Sequence, residues 1–169
     1  MRGFRFALTV LLALIIASCG WHLRGIEPLA EELQVLHLDA REPDGDFARA
    51  LRRSLTATGV SLLESRDEAP IVLEVSPAEN QRRTISTSDL GKAAEYQLTT
   101  SIDFRVLNAA GEEILGPERL LVEKVYVFDR LNVASTYEEE QLLRSEMRRD
   151  LVQQLIRRYQ TASQTRQVN

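Results

Sequence analysis

Hydrophobic positions recur along this chain with two different periods, and the order in which those periods alternate predicts its elements. Val35, Leu36, His37 and Leu38 alternate sides as a first strand that Asp39 ends. The turn formers Glu42, Pro43, Asp44, Gly45 and Asp46 follow, with an aspartate placed to cap a helix. Phe47, Leu51 and Leu55 then fall four apart, one stripe of a helix that closes at Gly59, where a C-terminal cap favours positive φ. Ile71, Leu73 and Val75 share one side of a second strand, and Pro77 marks an edge or a bulge. Residues 94–107 carry the cleanest period of two. Tyr96, Leu98, Ile102, Phe104 and Val106 lie on one side, with Gln97, Thr99, Ser101, Asp103 and Arg105 on the other, so one face packs and the other meets water. Asn108 to Glu112 reads as a hairpin connection to a fourth strand over 120–128. Between the second and third strands, residues 79–92 are polar and without period, either a long twisted hairpin tip or a loop.

Ser135 with Glu138, or Thr136 with Glu139, forms a capping box ahead of a last helix. Leu143, Met147, Leu151 and Leu155 make its core row, broadened by Val152, Ile156 and Tyr159. After Gln160 no apolar pattern remains, and a disordered tail is expected over 161–169. The element order β-α-β-β-β-α combines one crossover helix with later short turns. It predicts an α+β two-layer sandwich over 34–160: a mixed four-stranded sheet with two helices on one face.

The N-terminus follows a different logic. Arg2 and Arg5 precede an apolar run over 7–17 that is too short to span a bilayer and suits a signal-peptide core. Ser18 then precedes Cys19, the only cysteine in the chain. This is the pattern of a bacterial lipoprotein signal over 1–18, with Cys19 as the lipidated first residue of the exported chain and 19–33 as a lipidated N-terminus and linker. The alternatives are an ordinary secretory peptide or a buried thiol. Acyl chains contribute about 0.8 kcal/mol per buried methylene, so three of them anchor a protein to a membrane without crossing it. Gly20, where inner-membrane lipoproteins often carry aspartate, favours the outer membrane.

The chain has 169 residues, 21 basic and 25 acidic, for a net charge of −4. The leader holds two arginines and no acid, so the exported part is more acidic still, which argues against nucleic acid as a partner. Lysine occurs only at 92 and 124, and the remaining cations are arginines, whose planar fork suits phosphate and carboxylate. Arg82, Arg83 and Lys92 are candidates for a basic sheet end that meets phosphate groups of a ligand or acidic groups of a partner, against the alternative of solvated surface charge. Reversing all three charges is expected to leave stability nearly unchanged. His22 and His37 lack Cys or carboxylate companions at metal-ligand spacing, and no nucleophile elbow, phosphate loop or zinc helix motif is present. No catalytic residue, metal or cofactor is expected. Glu138, Glu139 and Glu140 read as charges complementing a helix N-terminus.

The segment Cys19-Gly20-Trp21-His22-Leu23-Arg24-Gly25 resembles the start of the LPS-assembly lipoprotein LptE family, and Ala94-Glu95-Tyr96-Gln97-Leu98 resembles that family's long strand. The resemblance implies a non-enzymatic outer-membrane lipoprotein with the same β-α-β-β-β-α sandwich. It further implies a complex in which the protein plugs an LptD-like β-barrel and assists placement of lipopolysaccharide in the outer leaflet. The rival readings are a lipid-anchored periplasmic hydrolase and a stand-alone periplasmic chaperone.

Overall fold

The computed structural model describes residues 34–87, 93–129 and 131–166. The signal, Cys19, the linker and Lys92 lie outside the described residues. The elements run β1 (Val35–Ala40), α1 (Asp46–Ala57), β2 (Ser61–Leu63), β3 (Ile71–Val75), β4 (Glu79–Thr87), β5 (Ala93–Asn108), β6 (Glu113–Val127) and α2 (Val133–Arg166). This is the expected α+β fold of two helices on a mixed sheet, with six strands in place of four. The two additions are β2, a three-residue strand parallel to β1, and β4, which resolves the polar stretch after Pro77 in favour of a hairpin arm.

β5 organises the sheet. Its 16 residues span about 50 Å at the usual rise per residue, and three strands register on it. Along one edge its C-terminal half pairs with β3 and its N-terminal half with β4, both antiparallel. Pro77, which cannot donate to a ladder, sits in the gap between β3 and β4. Pairing carries across at Ser76, whose N–H donates to the Asp103 carbonyl at 2.8 Å while its hydroxyl accepts from the Asp103 N–H at 2.9 Å. β6 takes the other edge, and β1 joins β3 in parallel.

The alternation of β5 separates the faces as predicted, except that Ser101 on the open side is buried, its hydroxyl accepting from Arg119 Nη2 at 2.8 Å. Leu98, Ile102, Phe104 and Val106 lie buried with Leu36, Leu73, Leu120 and Val122 under the stripes Phe47, Leu51, Leu55 of α1 and Met147, Leu151, Leu155 of α2. Thr100, the polar member of this row, is satisfied by donating to Asn80 Oδ1 at 2.9 Å. The 34 residues of α2 reach about 50 Å, matching β5 in length. None of the described helices is long and apolar enough to cross a membrane.

Several end signals differ from expectation. Gly45 occupies the N-cap of α1 without a side-chain bond, and Asp46 instead pairs with Arg49 at 2.5 Å. No capping box opens α2, because the helix begins earlier than that pattern placed it. Asn132 Oδ1 accepts from the Ser135 N–H at 3.4 Å, and the Thr136 hydroxyl accepts from the Asp129 N–H at 3.2 Å to hold the preceding loop. The segment expected as disordered tail is helical as far as Arg166, since no glycine or proline interrupts it there. β6 begins at Glu113, well before residue 120, because the tight hairpin lets pairing start at once. In that hairpin Asn108 Oδ1 accepts from the N–H groups of Ala110 and Glu112, both at 2.9 Å, and Gly111 takes φ 79°.

Gly59 at φ 88° ends α1 as predicted, and a methyl group placed there would meet nothing within 4 Å. Gly59→Ala is therefore expected to cost about 1–2 kcal/mol through backbone strain alone. Urea denaturation checks this, with the slope of the transition unchanged because no buried surface is lost.

Candidate functional site

Strand alternation places Arg82 and Arg83 on opposite faces of the sheet. Arg82 pairs in register with Leu98 and so lies on the helix side, while Arg83 pairs with Gln97 and lies on the open side. The two do not form one basic patch. Lys92 is outside the described residues, so its distance from either is not part of this geometry.

Arg82 is committed to the protein. Its Nη1 donates to Glu140 Oε2 at 3.0 Å, and its guanidinium lies 4.8 Å from the centre of the Tyr96 ring. The same carboxylate oxygen accepts from the Tyr126 hydroxyl at 2.6 Å. The other oxygen, Oε1, accepts from Arg144 Nε at 2.9 Å and Nη2 at 2.6 Å, one helical turn along α2. Tyr96 stacks on Tyr126 at 5.6 Å and meets Phe128 edge-on at 5.7 Å. One carboxylate thus holds β4, β6 and α2 together. Of the acidic run, Glu138 and Glu139 are exposed, but Glu140 is 8% exposed and serves this cluster rather than the helix dipole.

The electrostatics follow from burial against hydrogen bonding. Burial alone would raise the Glu140 carboxyl, but the bonds from Tyr126, Arg144 and Arg82 outweigh it and hold the carboxyl below its ordinary value. Burial, aided by the bond to Glu140 and opposed by Arg82, pushes the Tyr126 phenol up to about 12. Tyr126 therefore stays a neutral donor at any physiological pH.

The open face is organised differently, by ion pairs that run across the strands. Glu74 pairs with Arg105 at 2.5 Å and Arg66 at 2.6 Å, Arg66 also meets Asp39, and Arg119 pairs with Glu79 at 2.7 Å. The bond from Arg105, with that from Arg66, overcomes burial and keeps the Glu74 carboxyl low. Arg83 stands apart from this network. Its Nε and Nη2 both donate to the neutral Gln97 Oε1, at 3.0 and 2.8 Å, so its charge meets no carboxylate among the described residues.

His37, the other titratable side chain on β1, has Nδ1 at 2.9 Å from the Leu63 carbonyl and ties β1 to β2. Among the described residues no group of three or more His, Cys, Asp or Glu side chains is placed to hold a metal. A groove of about 240 Å³ lies between the start of α1, Pro77 and α2, lined by Glu42 and Asp46 as well as Arg144 and Arg148. Its mixed charges, with Arg148 near Asp46 at 3.5 Å, give it no net preference for an anion.

A family model named LptE and described as lipopolysaccharide-assembly matches residues 33–159, from the start of β1 to the last turns of α2. The chain belongs to the LptE family. The LPS-assembly lipoprotein LptE of Pectobacterium atrosepticum is 34% identical, with 99% of this chain and 91% of that protein covered. The LptE of Photorhabdus laumondii is 31% identical, covering 91% of this chain and 85% of its own length. In fold, the chain is similar to the solution structure of an uncharacterized lipoprotein B from Nitrosomonas europaea, with a TM-score of 0.71 over 83% of this chain and 90% of that one at 22% identity.

The expectation that all three tip charges can be reversed freely does not extend to Arg82, since a carboxylate there would face Glu140. Glu140→Ala should cost about 2–3 kcal/mol by leaving the Tyr126 hydroxyl and the Arg82 and Arg144 guanidiniums without their acceptor. Arg83→Ala, by contrast, should stay within about 0.5 kcal/mol of the parent. Chemical denaturation of the two variants checks the assignment, and equal losses would contradict it.

A pH dependence follows from the same carboxyls. Glu74 and Glu140 lie below the ordinary value of 4.5 when folded, so the unfolded chain takes up protons first as pH falls. Their contribution is complete above about pH 5, begins to fall near 4.5 and is lost as pH drops through the folded values. Acid titration of Glu140→Gln should show a shallower decline than the parent.

Proposed function

We propose that this LptE-family chain is an outer-membrane lipoprotein, anchored through acyl groups on Cys19, that complexes with an LptD-like β-barrel as a plug. In that complex it assists lipopolysaccharide assembly and transport to the outer leaflet. The observation that carries the reading is the family match across residues 33–159, joined to a sequence pattern over 1–18 that reads as a lipoprotein signal ahead of Cys19. The open face supports a place inside a wet lumen. Most of its carboxylates and guanidiniums neutralise one another across β1, β3, β4, β5 and β6, with Arg83 and Glu123 outside that pairing, so enclosing the paired region does not strand isolated charges.

The proposal assigns contact with lipid A phosphates, or with acidic groups of the barrel, to Arg83 and Lys92. Among the described residues Arg83 holds only an amide and meets no carboxylate, which leaves a charge with a fork suited to phosphate. Arg82 supports the same tip from beneath by holding the sheet to α2.

Purification of a tagged copy from detergent-solubilised membranes should bring down a β-barrel protein, and its absence would overturn the plug. Cys19→Ser should release the protein from the membrane without unfolding it, because no disulfide is lost. Arg83→Glu with Lys92→Glu should weaken binding to lipopolysaccharide by about tenfold, the loss of roughly one charge-assisted contact. Unchanged binding at low salt would show these to be solvated charges. Turnover of an ester or glycan substrate that disappears in His37→Ala would favour the hydrolase instead.

A further inference from the structure

The described sheet has three free edges, and two of them are guarded. β2 is three residues long, too short to template another chain. β4 carries Arg82 and Arg83 and has register shifts between Thr84 and Thr87, charges and irregularity of the kind that discourage pairing. β6 changes character along its length. Its first part contains Gly116 and Pro117, and its register with β5 shifts between Phe104 and Leu107. From Glu118 to Val127 it runs in unbroken register with β5, free of glycine, proline and bulge.

The outer side of that regular stretch has no strand partner among the described residues. Its open-face side chains are apolar where an exposed edge is normally charged: Leu121, Val125 and Val127 are 47%, 54% and 62% exposed. Between them stands Glu123, which accepts from the Thr99 hydroxyl at 3.3 Å and meets no cation among the described residues. The neighbouring strand offers Gln97, Thr99 and Ser101 at the corresponding positions, so the apolar row belongs to the edge alone.

We propose that residues 119–127 of β6 are a strand-addition site that receives an extended segment of the β-barrel partner. That segment would set apolar side chains beside Leu121 and Val125 and a basic one beside Glu123. The inference rests on the plug reading above and names the surface through which that partner is held. Main-chain hydrogen bonds supply the attraction in such pairing, and the alternate side chains select the partner. A second copy of this chain fits the edge poorly. Two-fold antiparallel pairing about Glu123 or Lys124 sets like charges opposite each other, which destabilises a sheet. Pairing about Leu121 or Val122 sets Pro117 of one copy against Val125 or Val127 of the other and removes a donor.

The test uses the full-length lipidated protein, free and in complex with the co-expressed LptD-like barrel. Amide hydrogen exchange over 119–127 should slow by at least about tenfold in the complex, at alternate residues, as new ladder bonds form. The double variant Val125→Lys, Val127→Lys should weaken the complex at least about tenfold, whereas Leu142→Lys, at a similarly exposed apolar position on α2, should not. Unaltered melting of the double variant shows that it folds. A complex that forms with unchanged exchange over 119–127 overturns this proposal and leaves the plug reading standing. Slowing confined to Glu79–Thr87 overturns it in favour of the β4 edge. Slowing over 119–127 in the free protein as its concentration rises overturns it in favour of self-pairing, and failure to form any complex removes both.

Discussion

Everything in this sandwich depends on one strand holding three partners in register. β5 is long enough to pair with β3 along one half of an edge, with β4 along the other half, and with β6 on the opposite side. A slip of one residue would turn Leu98, Ile102, Phe104 and Val106 to water and bring Gln97, Asp103 and Arg105 under the helices. The cost of such a slip grows with the number of residues that alternate, and β5 has 16. Its length therefore secures the register and sets the span that α2 must cover. The break at Pro77 lets two short strands share one edge without losing the pairing, because Ser76 bonds to both main-chain groups of Asp103.

Beyond the reach of α1, apolar packing alone no longer holds the tip of the sheet, and the Glu140 cluster takes over. A carboxylate at 8% exposure is tolerated only where donors replace its water, and this one has four hydrogen bonds from three side chains. The arrangement is directional where apolar contact is not. Tyr126 comes from β6, Arg82 from β4 and Arg144 from α2, so the carboxylate is fully satisfied only when all three elements are in place. Tyr96 and Phe128 complete it by stacking, with the Arg82 guanidinium over the Tyr96 ring as a second constraint on the same side chain. The cluster thereby fixes where the open side of the tip, including Arg83, is presented.

The parts of the fold legible in the sequence are those where burial imposes a period. The rows of β3, β5, α1 and α2, and the positive φ at Gly59, follow from which side chains must leave water. β4 was not legible as a strand because its side chains are exposed almost throughout. The hydrogen-bonding edge of β5 dictates its conformation, and a pattern of burial does not. β2 is too short for any period to register. The Glu140 cluster was hidden for another reason, since Arg82 and Glu140 are 58 residues apart and a run of three glutamates resembles solvated helix charge. The two exposed members of that run are of that kind. Only the register of β4 on β5 and the passage of α2 over them distinguishes the third. Arg82 and Arg83 mislead in the opposite sense, since adjacency in sequence suggests one patch where adjacency along a strand guarantees opposite faces.

That division assigns different physical roles to two neighbouring arginines. On the helix side a guanidinium is held by a carboxylate and a ring, its charge neutralised and its position set. On the open side the next guanidinium rests on an amide, positioned but not neutralised. A neutral acceptor fixes the position of a guanidinium without compensating its charge, where a carboxylate would do both. The rest of the open face has the opposite property, with its arginines already matched to Glu74, Asp39 and Glu79. Among the described residues, the open face therefore carries paired arginines across most of the sheet and, at the tip, an arginine without a carboxylate partner. The pattern of neutralisation among the described residues thus differs between the body of the open face and its tip, in a chain whose net charge is negative.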